Sequence, residues 1–227
     1  MTTVDLSQVD VRCLNERLHA LCGCEAQTEW QIIEPDGRHS IAVGMDAPAR
    51  VTIEGHVGYY CGGMNQQAEI VVNGHAGPGL AENMMSGTVW VSGSASQSAG
   101  ASMHGGLLII RGDASSRCGI SLKGGSILVG GSVGHMSAFM AQAGQLVVCG
   151  DAGDGLGDSI YEADLYVGGA VAGLGSDCVQ KDMTDVHYQR LTHLLEQARV
   201  EADPQVFRRY GSARTLYNFH ADHAGDY

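Results

Sequence analysis

RVTIEG (50–55), EIVVNG (69–74), TVWVSG (88–93), LLIIRG (107–112), SILVGG (126–131), QLVVCG (145–150) and DLYVGG (164–169) recur every 19 residues, each closing on a glycine. Each reads apolar, variable, apolar before its last two residues, the pattern of a short strand running into a turn. Side chains alternate across a strand, so one face collects Val51/Ile53, Ile70/Val72, Val89/Val91, Leu108/Ile110, Ile127/Val129, Leu146/Val148 and Leu165/Val167. These pairs are the expected inner wall. Two residues past each glycine stands a small apolar residue (Val57, Ala76, Ala95, Ala114, Val133, Ala152, Val171), and five further on another small one (Gly62, Ala81, Gly100, Gly119, Ala138, Gly157, Ser176). Only small side chains fit the corners of a narrow coil. Met84, Met103, Leu122, Ala141, Ile160 and Val179 supply a third inward row at the same spacing.

A unit this short cannot bury its apolar face alone, whereas turns stacked on one another share a continuous core. The expectation is an all-β, single-stranded parallel β-helix of seven 19-residue turns. An α-solenoid is excluded, because such a repeat has no room for two helices and its turn segments are rich in Gly, Ser and Asp. The repeat glycine fits a turn where φ is positive and no Cβ is tolerated against the next turn. Composition agrees: 33 glycines against 4 prolines and 3 phenylalanines mark many tight turns and little bulky filling. Handedness does not follow from the spacing.

The flanks differ in kind, which divides the chain into an N-terminal helical flank (1–29), the coil (30–181), and a C-terminal helix with a docking tail (182–227). Residues 6–21 put Val11, Leu14, Leu18 and Leu21 on one helical face behind Ser7 as cap, and Trp30 to Gly37 reads as a degenerate first turn. Residues 184–200 are a second helix, starting at Thr184 or Asp185, with Tyr188, Leu191, Leu195 and Ala198 on one face. The tail concentrates Phe207, Tyr210, Tyr217 and Phe219 with Arg208, Arg209 and Arg214, too aromatic for a linker and suited to docking on an acidic protein surface. No signal-peptide pattern or long apolar run is present, so a cytoplasmic protein that does not bind membranes is expected. A net charge of −12 argues against a nucleic-acid partner.

No reactive constellation stands out. Cys61 and Cys118 share a slot three turns apart, about 14 Å at about 4.8 Å per turn, too far to bridge or share an ion. Cys22 and Cys24 form a CxC without a second pair. His56 and His75 share a slot on adjacent turns, but the column continues as Ser94, Asp113, Ser132, Asp151 and Ala170, simply a polar turn column. The run GDAGDGLGD around Asp151, Asp154 and Asp158 lacks the repeated nonapeptide of calcium-binding coils. Nucleophile-elbow, zinc-protease and phosphate-loop motifs are absent, and the coil carries no inserted loop to build a pocket. Catalytic, cofactor-binding and metal-binding residues are therefore all expected to be none in this chain.

The outer face is unusual. The middle strand residue points away from the core, and its column reads Thr52, Val71, Trp90, Ile109, Leu128, Val147, Tyr166. Six apolar residues stacked at about 4.8 Å make a stripe roughly 25–30 Å long, so Val71, Trp90, Ile109, Leu128, Val147 and Tyr166 are the expected partner interface. The rival reading is that the terminal helix or aromatic tail covers it. On the interface reading, glutamates at Trp90 and Leu128 leave the isolated coil folded and dissociate a complex. Tyr60, Met64, Asn65, Met84, Met85, Met103, Phe139 and Met140 across the turns offer a second contact row, with Met84 and Met103 more simply core. Asn65, Gln66, Glu82, Asn83 and His135 are either ordinary turns or the lining of a shared cavity.

The repeated glycine pattern resembles the GXGXG β-helix family, known from the C-terminal part of the glutamate synthase large subunit and from a formylmethanofuran dehydrogenase subunit. The strings GHVGYYCGGMNQQAEI (55–70), GLAENMMSGTVWVSG (79–93), SQSAGASMHGGLL (96–108), GGSVGHMSAFMAQAG (130–144), GDSIYEADLYV (157–167) and FRRYGSARTLYNFH (207–220) are similar to the stand-alone β-helix subunit of N-methylglutamate synthase. That resemblance spans nearly the whole chain and implies a right-handed β-helix. It also implies a multi-subunit enzyme combining methylamine with glutamate to give N-methylglutamate and ammonia. The implied partners are an amidotransferase-like subunit and a glutamate-synthase-like subunit carrying FMN and an iron–sulfur cluster. No catalytic residue of the family maps onto a motif here. Equivalent subunits of a glutamate-synthase-like or formylmethanofuran-dehydrogenase-related complex are the alternative. Free-standing acyltransferases of the hexapeptide type use 18-residue turns, and β-helix lyases need long loops and a secretion signal.

Overall fold

In the computed structural model, which describes residues 1–23 and 28–214, the chain forms one eleven-stranded sheet wrapped into a coil. The elements run β1 (Thr2–Asp5), α1 (Val11–His19), β2 (Thr28–Ile33), β3 (Ala49–Glu54), β4 (Glu69–Val72), β5 (Thr88–Val91), β6 (Leu107–Ile110), β7 (Ser126–Val129), β8 (Gln145–Val148), β9 (Asp164–Val167), β10 (Cys178–Lys181), α2 (Asp185–Gln197) and β11 (Arg208–Ser212). Strands β1 to β9 pair in parallel and in sequence order. A second seam of single bridges, from Val57↔Ala76 to Ala152↔Val171, links the turns at the small residues after each glycine. This is the parallel β-solenoid of about seven turns that the repeat implies, with two short helices.

The alternating strand residues form the inner wall as expected: Val51, Ile53, Ile70, Val72 and their successors through Val167 are fully enclosed. The third row is filled by Met84, Met103, Leu122, Ala141 and Ile160, but Val179 is exposed. The cause is a one-residue deletion. Ala152 still pairs with Val171, yet Leu156 pairs with Leu174, so the last turn runs one residue short. Cys178 consequently takes the inward position and is buried.

The repeat glycine is required by proximity more than by φ. A Cβ on Gly74 would stand 2.4 Å from the carbonyl oxygen of Gly55, one turn below. Left-handed backbone sits instead at the corner, three times per turn, at Tyr60, Gly62 and Met64 with φ of 60°, 64° and 54°. The small-residue column predicted at the corner is the middle member of that trio.

The polar turn column is a ladder of acceptors. His56 Nδ1 accepts from the backbone N–H of His75 at 2.9 Å, and His75 Nδ1 from that of Ser94 at 2.9 Å. Ser94, Asp113, Ser132 and Asp151 continue it, the last accepting from Ala170 at 2.7 Å. Each side chain satisfies an amide on the next turn that would otherwise be orphaned.

Both ends of the coil are sealed. Leu6, Leu14 and Leu18 of the N-terminal flank are fully buried on the first turn. Asn15 substitutes for a missing turn, accepting from Ala42 N–H at 3.0 Å and donating to the Ser40 carbonyl at 2.8 Å. The cap of α1 is Asp10, not Ser7: its carboxylate accepts from Cys13 N–H at 2.7 Å. Strand β1 was not legible beforehand. At the far end β11 enters between β9 and β10 and is antiparallel to both, ending the parallel ladder. The described part of the tail, up to Arg214, docks on its own coil. Phe207 and Tyr210 are buried, Arg209 pairs with Asp164 at 2.6 Å, and Arg214 pairs with Asp177. Tyr217, Phe219 and Cys24 lie outside the described residues.

Candidate functional site

The middle strand residues face away from the coil, and the structure splits their column in two. Ile109, Leu128, Val147 and Tyr166 are buried beneath α2, against Leu191, Leu194, Leu195 and Ala198, with Phe207 joining the cluster. Four of the six residues expected to receive a partner are thus occupied by the chain's own helix. Glutamate at Leu128 would be enclosed within that cluster, which corrects the expectation that it leaves the isolated chain intact. Val71 and Trp90, with Thr52 beside them, are only half-buried.

The cover stops where it does for physical reasons. Helix α2 has 13 residues, or about 20 Å at about 1.5 Å per residue, against the longer apolar column. At its start the Thr184 N–H donates to His187 Nδ1 at 3.0 Å. At its end Arg111, projecting outward two residues after Ile109, donates to the carbonyls of Ala198 at 3.2 Å and Arg199 at 2.8 Å. A cation at a helix C-terminus is favoured by the dipole, so Arg111 fixes the helix end. The same guanidinium lies 5.9 Å from the centre of the Trp90 ring.

Beyond that end a groove of about 470 Å³ opens on the sheet, with Val71, Trp90, Leu107 and Ile109 as apolar lining and Arg50, Glu69, Thr88, Gln197 and Arg199 as its polar lining. Arg50 Nη1 stands 3.2 Å from the Glu69 carboxylate across adjacent strands. Arg50, Arg111 and Arg199 were not singled out from the sequence. Arg111 was findable in principle, since positions 107, 109 and 111 alternate onto one face, but only the fold says a helix ends there.

On the covered half the Tyr166 hydroxyl and Gln145 Oε1 are buried with no hydrogen-bond partner among the described residues. Burial pushes the Tyr166 phenol up to about 12, so it stays protonated. Burial likewise raises the thiols of Cys61 and Cys118 to about 12, which makes them poor nucleophiles and ligands at neutral pH. The His56 and His75 rings are 5.0 Å apart, but both Nδ1 atoms are committed to the ladder. Among the described residues no cluster of three metal-ligating side chains occurs.

The second contact row is partly exposed: Tyr60, Met64, Met85 and Met140 face solvent, whereas Met84 and Met103 are core. Asn65 is fully buried and closes its own turn through the Ala68 carbonyl at 2.8 Å. Glu82 and Asn83 border a small hollow of about 240 Å³ with Tyr60 and Met64. His135 Nδ1 lies 3.0 Å from the Asp154 carbonyl, an ordinary turn contact. No described helix is long and apolar enough to cross a membrane.

No family model matches the chain. Its fold resembles a chain in the X-ray crystal structure of the formyltransferase/hydrolase complex (FhcABCD) from Methylorubrum extorquens in complex with methylofuran, with a TM-score of 0.60 and 22% identity. That match covers 84% of this chain and 66% of the other, so this chain spans just under two thirds of that one, and the likeness is one of fold. In sequence the chain is 53% identical to Protein GlxC of Rhizobium meliloti (strain 1021) over 228 residues, covering 100% of both. A solenoid with a half-covered outer face, this chain belongs to the GlxC family.

Proposed function

We propose that this chain is the non-catalytic scaffold subunit of N-methylglutamate synthase, the multi-subunit enzyme that converts methylamine and glutamate to N-methylglutamate and ammonia. The observation that carries a scaffold role is the outer face: an apolar stripe that continues past the end of the helix covering it and leaves Trp90 and Val71 half-open in a groove. Patches of that kind mark association surfaces on folded chains. The full-length relation to Protein GlxC and the fold shared with a chain of a solved multi-subunit complex support membership of an assembly. The reaction itself rests on the resemblance of the long strings around residues 55–70, 130–144 and 207–220. FMN and the iron–sulfur cluster belong to the glutamate-synthase-like partner, and glutamine hydrolysis to the amidotransferase-like one.

A second reading, an equivalent subunit of a glutamate-synthase-like or formyltransferase/hydrolase-type complex, is favoured by the fold likeness to FhcABCD. Affinity purification of the tagged chain from its native cell separates the two. The expected eluate is yellow, contains amidotransferase-like and synthase-like chains, and forms N-methylglutamate from methylamine and glutamate. Companions of another kind, without that product, would move the chain to the second reading. A colourless homo-oligomer would reject the scaffold reading.

A further inference from the structure

We propose that the groove beside the end of α2 receives an amphipathic segment of a companion chain, apolar toward Val71 and Trp90 and bearing a carboxylate where it passes Arg199. The inference rests on the scaffold reading and adds to it the place and chemistry of the contact.

Continuity gives the apolar half of that description. From Ile109 to Tyr166 the outer column is already filled by an amphipathic helix packing Leu191, Leu194 and Leu195 onto it. Trp90 and Val71 are the next two residues of the same column, paired in register on adjacent strands. The surface changes neither its spacing nor its chemistry at the point where α2 ends; only the cover stops. The uncovered strands β3, β4 and β5 span about 14 Å at about 4.8 Å each, which two to three helical turns would cross.

Charge gives the acidic half. The chain carries −12 overall, yet this groove is bordered by Arg50 and Arg199 against Glu69, with Arg111 beside the indole. Arg50 is committed to Glu69 and Arg111 to the helix end. Arg199 is exposed, and among the described residues its guanidinium has no ion-pair partner; its backbone is left-handed at φ 51°. A local cationic site on an acidic protein selects an acidic partner, and an apolar lining selects a folded segment over a small anion.

A photo-crosslinking amino acid in place of Thr88, on the groove lining, tests this in the complex isolated from the native cell, with Met64, exposed and outside that lining, as control site. The expected crosslink joins position 88 to a companion-chain peptide containing Asp or Glu. Arg199→Glu should weaken that crosslink and the recovery of the companion at least tenfold, while Arg199→Lys retains both and neither changes the thermal melt of the isolated chain. Companion crosslinks from position 64 alone, a crosslink from 88 to a second copy of this chain, or recovery indifferent to Arg199→Glu would overturn the groove while the complex stands. If the unmodified chain brings down no companion, the scaffold reading falls and the groove with it.

Discussion

The outer face of this coil shows one apolar column in two conditions. Over β6 to β9 it is the floor of a closed cluster under α2; over β4 and β5 the same column stands half-open beside Arg199. The strands are alike, the register is alike, and the difference is the reach of one helix. An apolar surface therefore says that something covers it, and the cover can come from the same chain or from another.

Leu128→Glu should break the closed half most severely. It removes buried leucine packing and encloses a carboxylate among Leu191, Leu194 and Leu195, a loss of about 4 kcal/mol in the isolated chain, read as a lower urea midpoint. Stability within about 1 kcal/mol of the parent would mean that α2 does not hold this surface. Trp90→Ala probes the open half and should divide the two properties. The isolated chain loses about 1 kcal/mol from the Arg111 contact and from edge packing on the covered cluster, while companion binding weakens by about 2 kcal/mol, near thirtyfold, as for a buried aromatic at an interface. Equal small effects on both would make the open half ordinary surface. Tyr166→Phe should go the other way, stabilising the closed half by up to about 1 kcal/mol, because the phenol it removes is buried without a partner. A clear loss of stability would show that the hydroxyl is satisfied in solution.

The smallest effect is a pH dependence confined to the closed half. Burial, with help from Arg209, holds His187 below its ordinary 6.5. The folded state then binds this proton less readily than the unfolded one, so the contribution is intact above about 6.5 and lost as pH falls through the lowered folded value. His187→Gln should flatten the melting temperature in that window, since glutamine can still serve the helix start; an unchanged slope would assign it elsewhere.

The inner wall was legible because a strand's two-residue alternation and the 19-residue repeat are local and repeated. One repeat of the third row failed, at Val179, because a single missing residue before Leu174 shifts everything after it and glycine-rich turns give no marker for such a slip. Strand β1 was missed since TTVD has no apolar alternation and gains its partners only from β2. The helix α2, expected over 184–200 with Thr184 or Asp185 at its start, forms over Asp185–Gln197 with Thr184 as its N-cap and ends three residues early at the Ala198 cap. That the terminal helix covers the stripe was one of the two readings the sequence offered, and it holds for Ile109, Leu128, Val147 and Tyr166. How far the cover reaches was not readable, because the end of the helix is fixed by a residue far away in sequence, Arg111. The candidate site inherits that limit: Val71 and Trp90 came from the repeat, Arg199 only from the end of α2.

The acceptor ladder gives the coil a polarity that matches the order in which its turns are made. In every step from His56 to Asp151 the side chain belongs to the earlier turn and the amide to the later one. A chain leaving the ribosome N-terminus first thus presents each newly made turn to an acceptor already waiting, with Asn15 as the starting block before any full turn exists. The ladder suits growth by addition at one end, and the antiparallel β11, the last strand among the described residues, occupies the edge of β9 where another parallel strand would pair.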